Sequence, residues 1–239
     1  MDAEKFVDKE GVKEIIILGT GNSCIYCDFV GEVWGVNGAY YIKKRMPEKH
    51  QDKFHLEKLF MCDFMWSAEG QLNFHLGEIN NLKKEYGAEL ISLHPMKLGK
   101  HKLECKYFPY KRIVKKFSSD YFTDTITYMI AYALDKYSVV KENEHGVLRP
   151  ELTRPLRLKF AGVDMCTTLE YQVSKGGVEF WVSKAHTMGA EIEITPGSQI
   201  LKNPRGVPYG HRRKYKIKDI DPYGVLDGKK QKEEKDELA

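Results

Sequence analysis

The sequence predicts an α/β protein of the Rossmann-like kind, a mostly parallel sheet with helices on both faces. Short apolar runs that end at a turn or a polar residue recur along the chain and alternate with stretches of helical periodicity. That order builds strand–helix–strand units. The first run, Glu14 to Leu18, passes directly into Gly19-Thr20-Gly21-Asn22-Ser23. A buried parallel strand hands over to a helix N-terminus in this way in nucleotide-binding folds. A chain of 239 residues is long enough for one full domain with a sizeable core.

Taken in order, the first turn has two glycines with separate uses. Gly19 permits a tight turn, and Gly21 lets the backbone approach a phosphate with no Cβ in the way. Ser23 is placed to cap the next helix or to donate to a ligand oxygen. A second short strand, Glu32 to Val36, ends at Asn37, and a third, Lys58 to Cys62, ends at Asp63. Leu72, Leu76, Ile79, Leu82 and Tyr86 then step by three or four, the mark of an amphipathic helix, which Gly87 terminates. Glu89 to Leu93 is a fourth strand, closed by Pro95, and the basic and aromatic segment from Lys97 to Phe117 reads as an excursion.

Tyr121 to Thr125 leads into Ile126 to Leu134, which is apolar nearly all round and therefore a central, buried helix. The polar stretch from Val140 to Pro155, with its two prolines, reads as a surface loop. Leu156 to Asp164 is a strand that ends at Asp164. An amphipathic helix over 177–188 precedes a last strand over 190–195, and Pro196-Gly197-Ser198 turns the chain. Residues 1–202 thus form the nucleotide-binding domain. Residues 203–239, rich in Gly, Pro, Lys and Glu, are expected to be a charged, partly disordered extension.

Right-handed crossovers bring the C-terminal ends of parallel strands to one edge, where ligands bind. The residues just past those ends are Gly19 to Ser23, Asn37, Asp63, Asp164 and Ser198, all small or polar and suited to a nucleotide. NAD-dependent chemistry is not expected. The third glycine of the dinucleotide fingerprint is missing, and Asn37 follows the second strand where an acidic residue would hold a ribose.

Composition narrows the setting. The net charge of +4 is small, with basic runs at Lys111-Arg112, Lys115-Lys116 and between Arg205 and Lys218. This bias fits a phosphate-bearing ligand or an ordinary solvated face, and no nucleic-acid-binding motif accompanies it. No window approaches the ~20 apolar residues of a membrane span, and the N-terminus lacks a signal peptide's apolar core. A cytoplasmic protein with no membrane partner is expected. Five cysteines, an odd number, argue against a disulfide framework. Cys24-Ile25-Tyr26-Cys27 reads first as two small buried residues, with a reactive thiol or a metal site as alternatives.

The order of these motifs resembles that of the bacterial lipooligosaccharide sialyltransferases that use CMP-sialic acid, and of the related archaeal 6-hydroxymethylpterin diphosphokinase-like proteins. The residues that carry the resemblance are Gly19-Thr20-Gly21-Asn22-Ser23, Val36-Asn37, Thr123-Asp124-Thr125, Gly162-Val163-Asp164-Met165 and Pro196-Gly197-Ser198. Tyr121 to Met129 and Gly162 to Tyr171 are also similar to proteins common in phage genomes. The resemblance implies that Gly21, Asn22 and Asn37 hold a nucleotide's phosphate and sugar, and that Thr123 and Thr125 line its base or ribose. It also implies a catalytic histidine between Asp164 and the last strand. Here the polar residues in that stretch are Glu170, Tyr171 and Gln172, while His186 lies close to the final strand, on the surface of a helix.

Glycosyl transfer from a nucleotide-sugar donor needs a base for the acceptor hydroxyl and hydrogen-bond donors for the departing phosphate. Glu170 is the candidate base, on a loop after a strand end, and Tyr171 or Tyr121 the candidate donor. Two other readings use the same edge. One is a non-catalytic protein that sequesters or senses a small nucleotide. The other is a diphosphokinase-like enzyme with Mg²⁺ held by Asp63 and Asp164 together with the phosphates.

Overall fold

The computed structural model describes residues 6–63, 76–98, 101–165 and 169–202. Strand β1 (Lys13–Leu18) is followed by a short 3-10 turn (Asn22–Tyr26), β2 (Glu32–Val36), helices α1 (Ile42–Arg45) and α2 (Glu48–Gln51), β3 (Lys58–Met61), α3 (Leu76–Tyr86) and β4 (Glu89–Ser92). Next come β5 (Lys97–Leu98), β6 (His101–Lys102), β7 (Lys106–Tyr107), α4 (Tyr110–Phe117) and α5 (Thr125–Lys136). The chain closes with β8 (Ser138–Glu142), β9 (Leu148–Leu152), β10 (Leu156–Ala161), α6 (Leu169–Thr187) and β11 (Glu191–Ile194).

Seven strands form one sheet in the order β11-β10-β1-β2-β3-β4-β7, and every pair is parallel. This is the Rossmann-like α/β architecture. The chain grows outward from β1 through β2, β3 and β4 to β7, then crosses back to lay β10 on the other side of β1. The order therefore reverses between β1 and β10, and a crevice opens beyond their C-terminal ends.

The three strands β1, β2 and β3 are buried at every position, as strands covered on both faces must be. Alternation sends Ile15, Ile17, Trp34 and Phe60 to the face covered by α4, α5 and α6, and Ile16, Leu18, Val33 and Leu59 to the face covered by α1 and α3. Helix α5 is the core helix, with Ile126, Met129, Ile130, Ala133 and Leu134 buried. Asp124 starts it through a reciprocal cap. Its carboxylate accepts from the Thr127 N–H at 2.9 Å, and its own N–H reaches Thr127 Oγ1. At the far end of the sheet Glu32 accepts from Lys13 at 2.9 Å, Lys58 at 2.6 Å and the Trp34 indole at 2.9 Å. Burial works to raise the Glu32 carboxyl, but the lysines outweigh it and hold it at about 2.

Three segments differ from the sequence expectation. Lys97 to Phe117 is an excursion only in part: β5 and β6 pair with each other apart from the main sheet, but β7 pairs with β4 as an edge strand, and α4 buries Ile113 and Phe117. A two-residue strand whose side chains are both exposed carries no alternation to read. Val140 to Pro155 is mostly an antiparallel hairpin, with Ser138 opposite Leu152 and Glu142 opposite Leu148. It stands off the core with both strands largely exposed, so its pattern resembles that of a loop. Helix α6 begins at Leu169, well before 177, and carries Gly176 and Gly177 in its interior. Gly177 is there for packing, because a Cβ would stand 2.7 Å from Thr123 Cγ2. Among the described residues, no helix is long and apolar enough to cross a membrane. Residues 203–239 lie outside the described part of the chain.

Candidate functional site

A cavity of about 360 Å³ opens where the order of strands reverses. This is within the size range of small-molecule sites. It is bounded by the turn Gly19 to Asn22 after β1, Asn37 after β2, Asp63 beyond β3, Asp124 and Thr125 at the start of α5, and Gly162 to Met165 after β10. Gly19, Gly21, Asn22, Asn37, Thr125 and Asp164, which the sequence placed at a ligand, therefore meet around one space. Ser23 and Thr123 do not line it. Asp124, named in the sequence only within the Thr123-Asp124-Thr125 motif and given no role there, borders the cavity too, and Arg45, not singled out from the sequence, is bonded to two residues of the lining.

The glycines of the first turn serve the architecture before any ligand. The Gly19 N–H donates to Ala161 O at 2.8 Å and the Gly21 N–H to Gly162 O at 2.7 Å. A Cβ on Gly19 would lie 2.8 Å from the Gly162 carbonyl carbon, and one on Gly21 would lie 2.6 Å from Asp164 Cγ. The turn is thus pressed against the end of β10, and Gly21 makes room for a carboxylate of the protein itself.

Ser23 completes this junction. Its N–H donates to Asp164 Oδ2 at 3.1 Å and its hydroxyl to Asp164 Oδ1, while Gly162 N and Thr195 Oγ1 donate to Ser23 Oγ at 3.0 and 3.1 Å. It is fully buried and caps nothing, since Gly21 precedes the 3-10 turn without a side-chain bond. Ser23 is a latch between strand ends rather than a ligand contact. Ser23→Ala would leave the Gly162 N–H and the Asp164 carboxylate short of partners, so a loss of about 2 kcal/mol is expected, with ligand affinity kept. Urea unfolding beside a binding titration checks both halves. Ser198 plays a similar part, donating to Val163 O at 2.6 Å. The amides of Thr20 and Asn22 have no acceptor among the described residues, and both residues line the cavity.

The opposite wall carries unsatisfied polar atoms. Asn37 Nδ2 donates to Asp63 Oδ2, which leaves Asn37 Oδ1 buried without a partner. Asp124 Oδ2 and Thr125 Oγ1 are in the same condition. Native proteins rarely keep such atoms without a reason, and here three of them border one cavity. Burial, with Asp63 adding to it, pushes the Asp124 carboxyl up to about 6, against the pull of the Thr127 N–H. That places it near the working range of a general base.

The remaining sequence candidates fall elsewhere. Thr123 turns toward α6, donating to Ser174 O at 2.9 Å, because Gly177 leaves it space. Its neighbour Asp124 borders the cavity instead. Glu170 and Tyr171 sit in the first turn of α6, on a helix rather than a loop, and their side chains lie outside the described residues. Tyr121 is exposed and gives its backbone carbonyl to the Trp181 indole at 2.7 Å, and His186 lies on the outer surface of α6. Of the two carboxylates considered for Mg²⁺, Asp164 accepts one hydrogen bond from Ser23 at each oxygen and Asp63 accepts one from Asn37, and both border the cavity. Among the described residues no group of three His, Cys, Asp or Glu side chains is arranged to hold a metal ion. Cys24 and Cys27 are buried and free, and burial raises both thiols, Cys27 to about 12. They are the small buried residues of the first reading, not reactive thiolates.

Arg45, exposed at the end of α1, reaches back to the first turn. Its Nη1 donates to Thr20 O at 2.6 Å and its Nη2 to Asn22 Oδ1 at 2.8 Å. In the sequence it is one of three consecutive basic residues, Lys43-Lys44-Arg45, and nothing local separates it from a solvated face.

No protein-family model matches the chain, and no curated protein matches it in sequence. The solved structure of an α-2,3-sialyltransferase from Campylobacter jejuni, in its apo form, aligns with 100% of this chain and 98% of that one, with a TM-score of 0.46 and 15% sequence identity.

Proposed function

We propose that the chain binds a nucleotide or nucleotide-sugar in the cavity at the strand reversal, and that it acts as a glycosyltransferase-like enzyme. The observation that carries this reading is the gathering of three buried, unpartnered polar atoms, on Asn37, Asp124 and Thr125, around one ligand-sized space. Free amides at Thr20 and Asn22 suit the phosphate. In the reaction the acceptor oxygen bonds to the anomeric carbon while the bond from that carbon to the phosphate oxygen breaks. The acceptor proton passes to a carboxylate, and the phosphate leaves with the electron pair. Glu170 and Asp124 are the carboxylates proposed for the proton, and Tyr171 a donor to the leaving group. The similarity of the motifs to sialyltransferases supports the class of reaction and says nothing of the base or the acceptor.

A thermal-shift screen against nucleotides and nucleotide-sugars, with and without Mg²⁺, tests the reading. A ligand at about a hundred times its dissociation constant adds ~2.7 kcal/mol of stability. A shift that disappears in Asn37→Ala is expected. No shift with any nucleotide overturns the reading. Binding without release of free nucleotide in the presence of any sugar acceptor favours the sequestering protein, and turnover unchanged in Glu170→Gln removes Glu170 as the base.

A further inference from the structure

We propose that the cavity is polarised, with Arg45 holding a phosphate at the β1 end while Asn37 and Asp124 take hydroxyl or ammonium groups of an uncharged or cationic ring, so that a ring bearing a carboxylate is rejected. The proposal deepens the reading of this cavity as a nucleotide-sugar site and rests on it.

Charge gives the first half of the argument. Among the described residues that line the cavity none is cationic, whereas Asp63, Asp124 and Asp164 are acidic. A phosphate entering such a space is repelled unless a cation stands beside it. Arg45 is placed for this, bonded to Thr20 and Asn22, two residues of the lining. Those bonds use one N–H from each Nη. A guanidinium has five N–H donors in a planar fork, so three remain for phosphate oxygens, next to the free Thr20 and Asn22 amides. An arginine that already braces the turn is held in position for bidentate contact.

Hydrogen-bond direction gives the second half. The Asn37 amide is oriented by its bond to Asp63, with Nδ2 on the carboxylate. Its Oδ1, the free atom, is therefore an acceptor, and so is ionised Asp124 Oδ2. Acceptors without donors ask for O–H or N–H groups on the ligand. A ligand carboxylate would instead join Asp63 and Asp124 as a third negative group, and like charges brought together at a binding surface cost several kcal/mol. Burial chiefly, with Asp63 adding to it, already raises the Asp124 carboxyl, so this wall resists a further negative charge. An acidic sugar such as sialic acid is the wrong ring for this wall.

The test titrates the full chain by NMR with glucose 1-phosphate and glucuronic acid 1-phosphate, which differ only at C6. Glucose 1-phosphate is expected to bind about tenfold or more tightly than its acid, the equivalent of ~1.4 kcal/mol. Arg45→Ala, on an exposed residue and with folding verified by its melting temperature, is expected to weaken glucose 1-phosphate by about tenfold. Asp124→Asn is expected to bring the two sugars within about threefold of each other. Equal binding of the two by the native chain, an unchanged affinity in Arg45→Ala, or no binding of either overturns the proposal. If nucleotides bind in the thermal screen while the sugar phosphates fail in one of these ways, the polarity falls and the nucleotide site stands. If the sugar phosphates behave as expected while no nucleotide binds, the reverse holds.

Discussion

Gly162→Ala is expected to destabilise the chain by about 3–5 kcal/mol, from left-handed backbone strain and overpacking combined. Gly162 has φ +69°, a conformation that L side chains resist, and an added Cβ would stand 2.9 Å from both Cys24 Cβ and the carbonyl carbon of Gly19. The neighbours are buried and two strand ends are already hydrogen-bonded at this point, so neither side can move cheaply. A loss of that size is a large part of the 5–15 kcal/mol that holds a typical domain together. It would also pull the first turn away from the cavity. Urea unfolding of the native and variant chains checks it, and a midpoint shift worth less than about 1 kcal/mol would show that the junction gives way easily.

The second large effect is expected at Asp124, and it has opposite signs for stability and binding. The Asp124 carboxyl titrates at about 6 in the folded chain, above its ordinary 3.8. The folded state thus holds this proton more tightly than the unfolded state. The group stabilises the fold fully below pH ~4, and that contribution is lost as the pH rises through about 6. Asp124→Asn keeps an oxygen for the Thr127 N–H and has nothing to ionise. The unliganded variant is expected to be more stable than the native chain at pH 7, by on the order of 2–3 kcal/mol, and equal to it near pH 4. Its affinity for a nucleotide-sugar whose sugar ring is uncharged is expected to fall about tenfold, because a charge-assisted acceptor is lost. Melting curves from pH 4 to pH 8, with and without ligand, measure both. A variant less stable than the native chain at pH 7 would mean that Asp124 acts mainly as a helix cap. Stabilisation on removing a buried, unpaired carboxylate is the usual sign of a group kept for function.

Much of the frame was legible because it depends on local patterns. The run Glu14 to Leu18 followed by Gly-x-Gly, the short strands that stop at Asn37 and Asp63, and the apolar helix after Thr125 each announce themselves within a few residues. The site was legible to the same depth. A parallel sheet with right-handed crossovers must bring those strand ends to one edge, so Asn22, Asn37 and Asp164 could be placed at a common cavity from their positions alone. The hairpin formed by β8 and β9, the edge strand β7 and the early start of α6 were not legible. The side chains of β7 and of the hairpin are largely exposed and α6 carries two glycines, and such residues take their conformation from a partner rather than from their own pattern.

The division is clearest within the cavity. Sequence alone determined the fold class, the edge where the cavity opens and the residue types gathered there, since burial periodicity and chain direction follow from local composition. Tertiary structure alone decided what each of those residues does. Ser23 and Asp164 became a latch because they lie on different strand ends that meet face to face. Thr123 turned to α6 because Gly177 leaves a hollow there, which put Asp124 in the cavity instead. Arg45 came to the first turn from another helix. A side chain's role is set by the partner that satisfies its charge and hydrogen bonds, and that partner is chosen by packing between segments far apart in the chain.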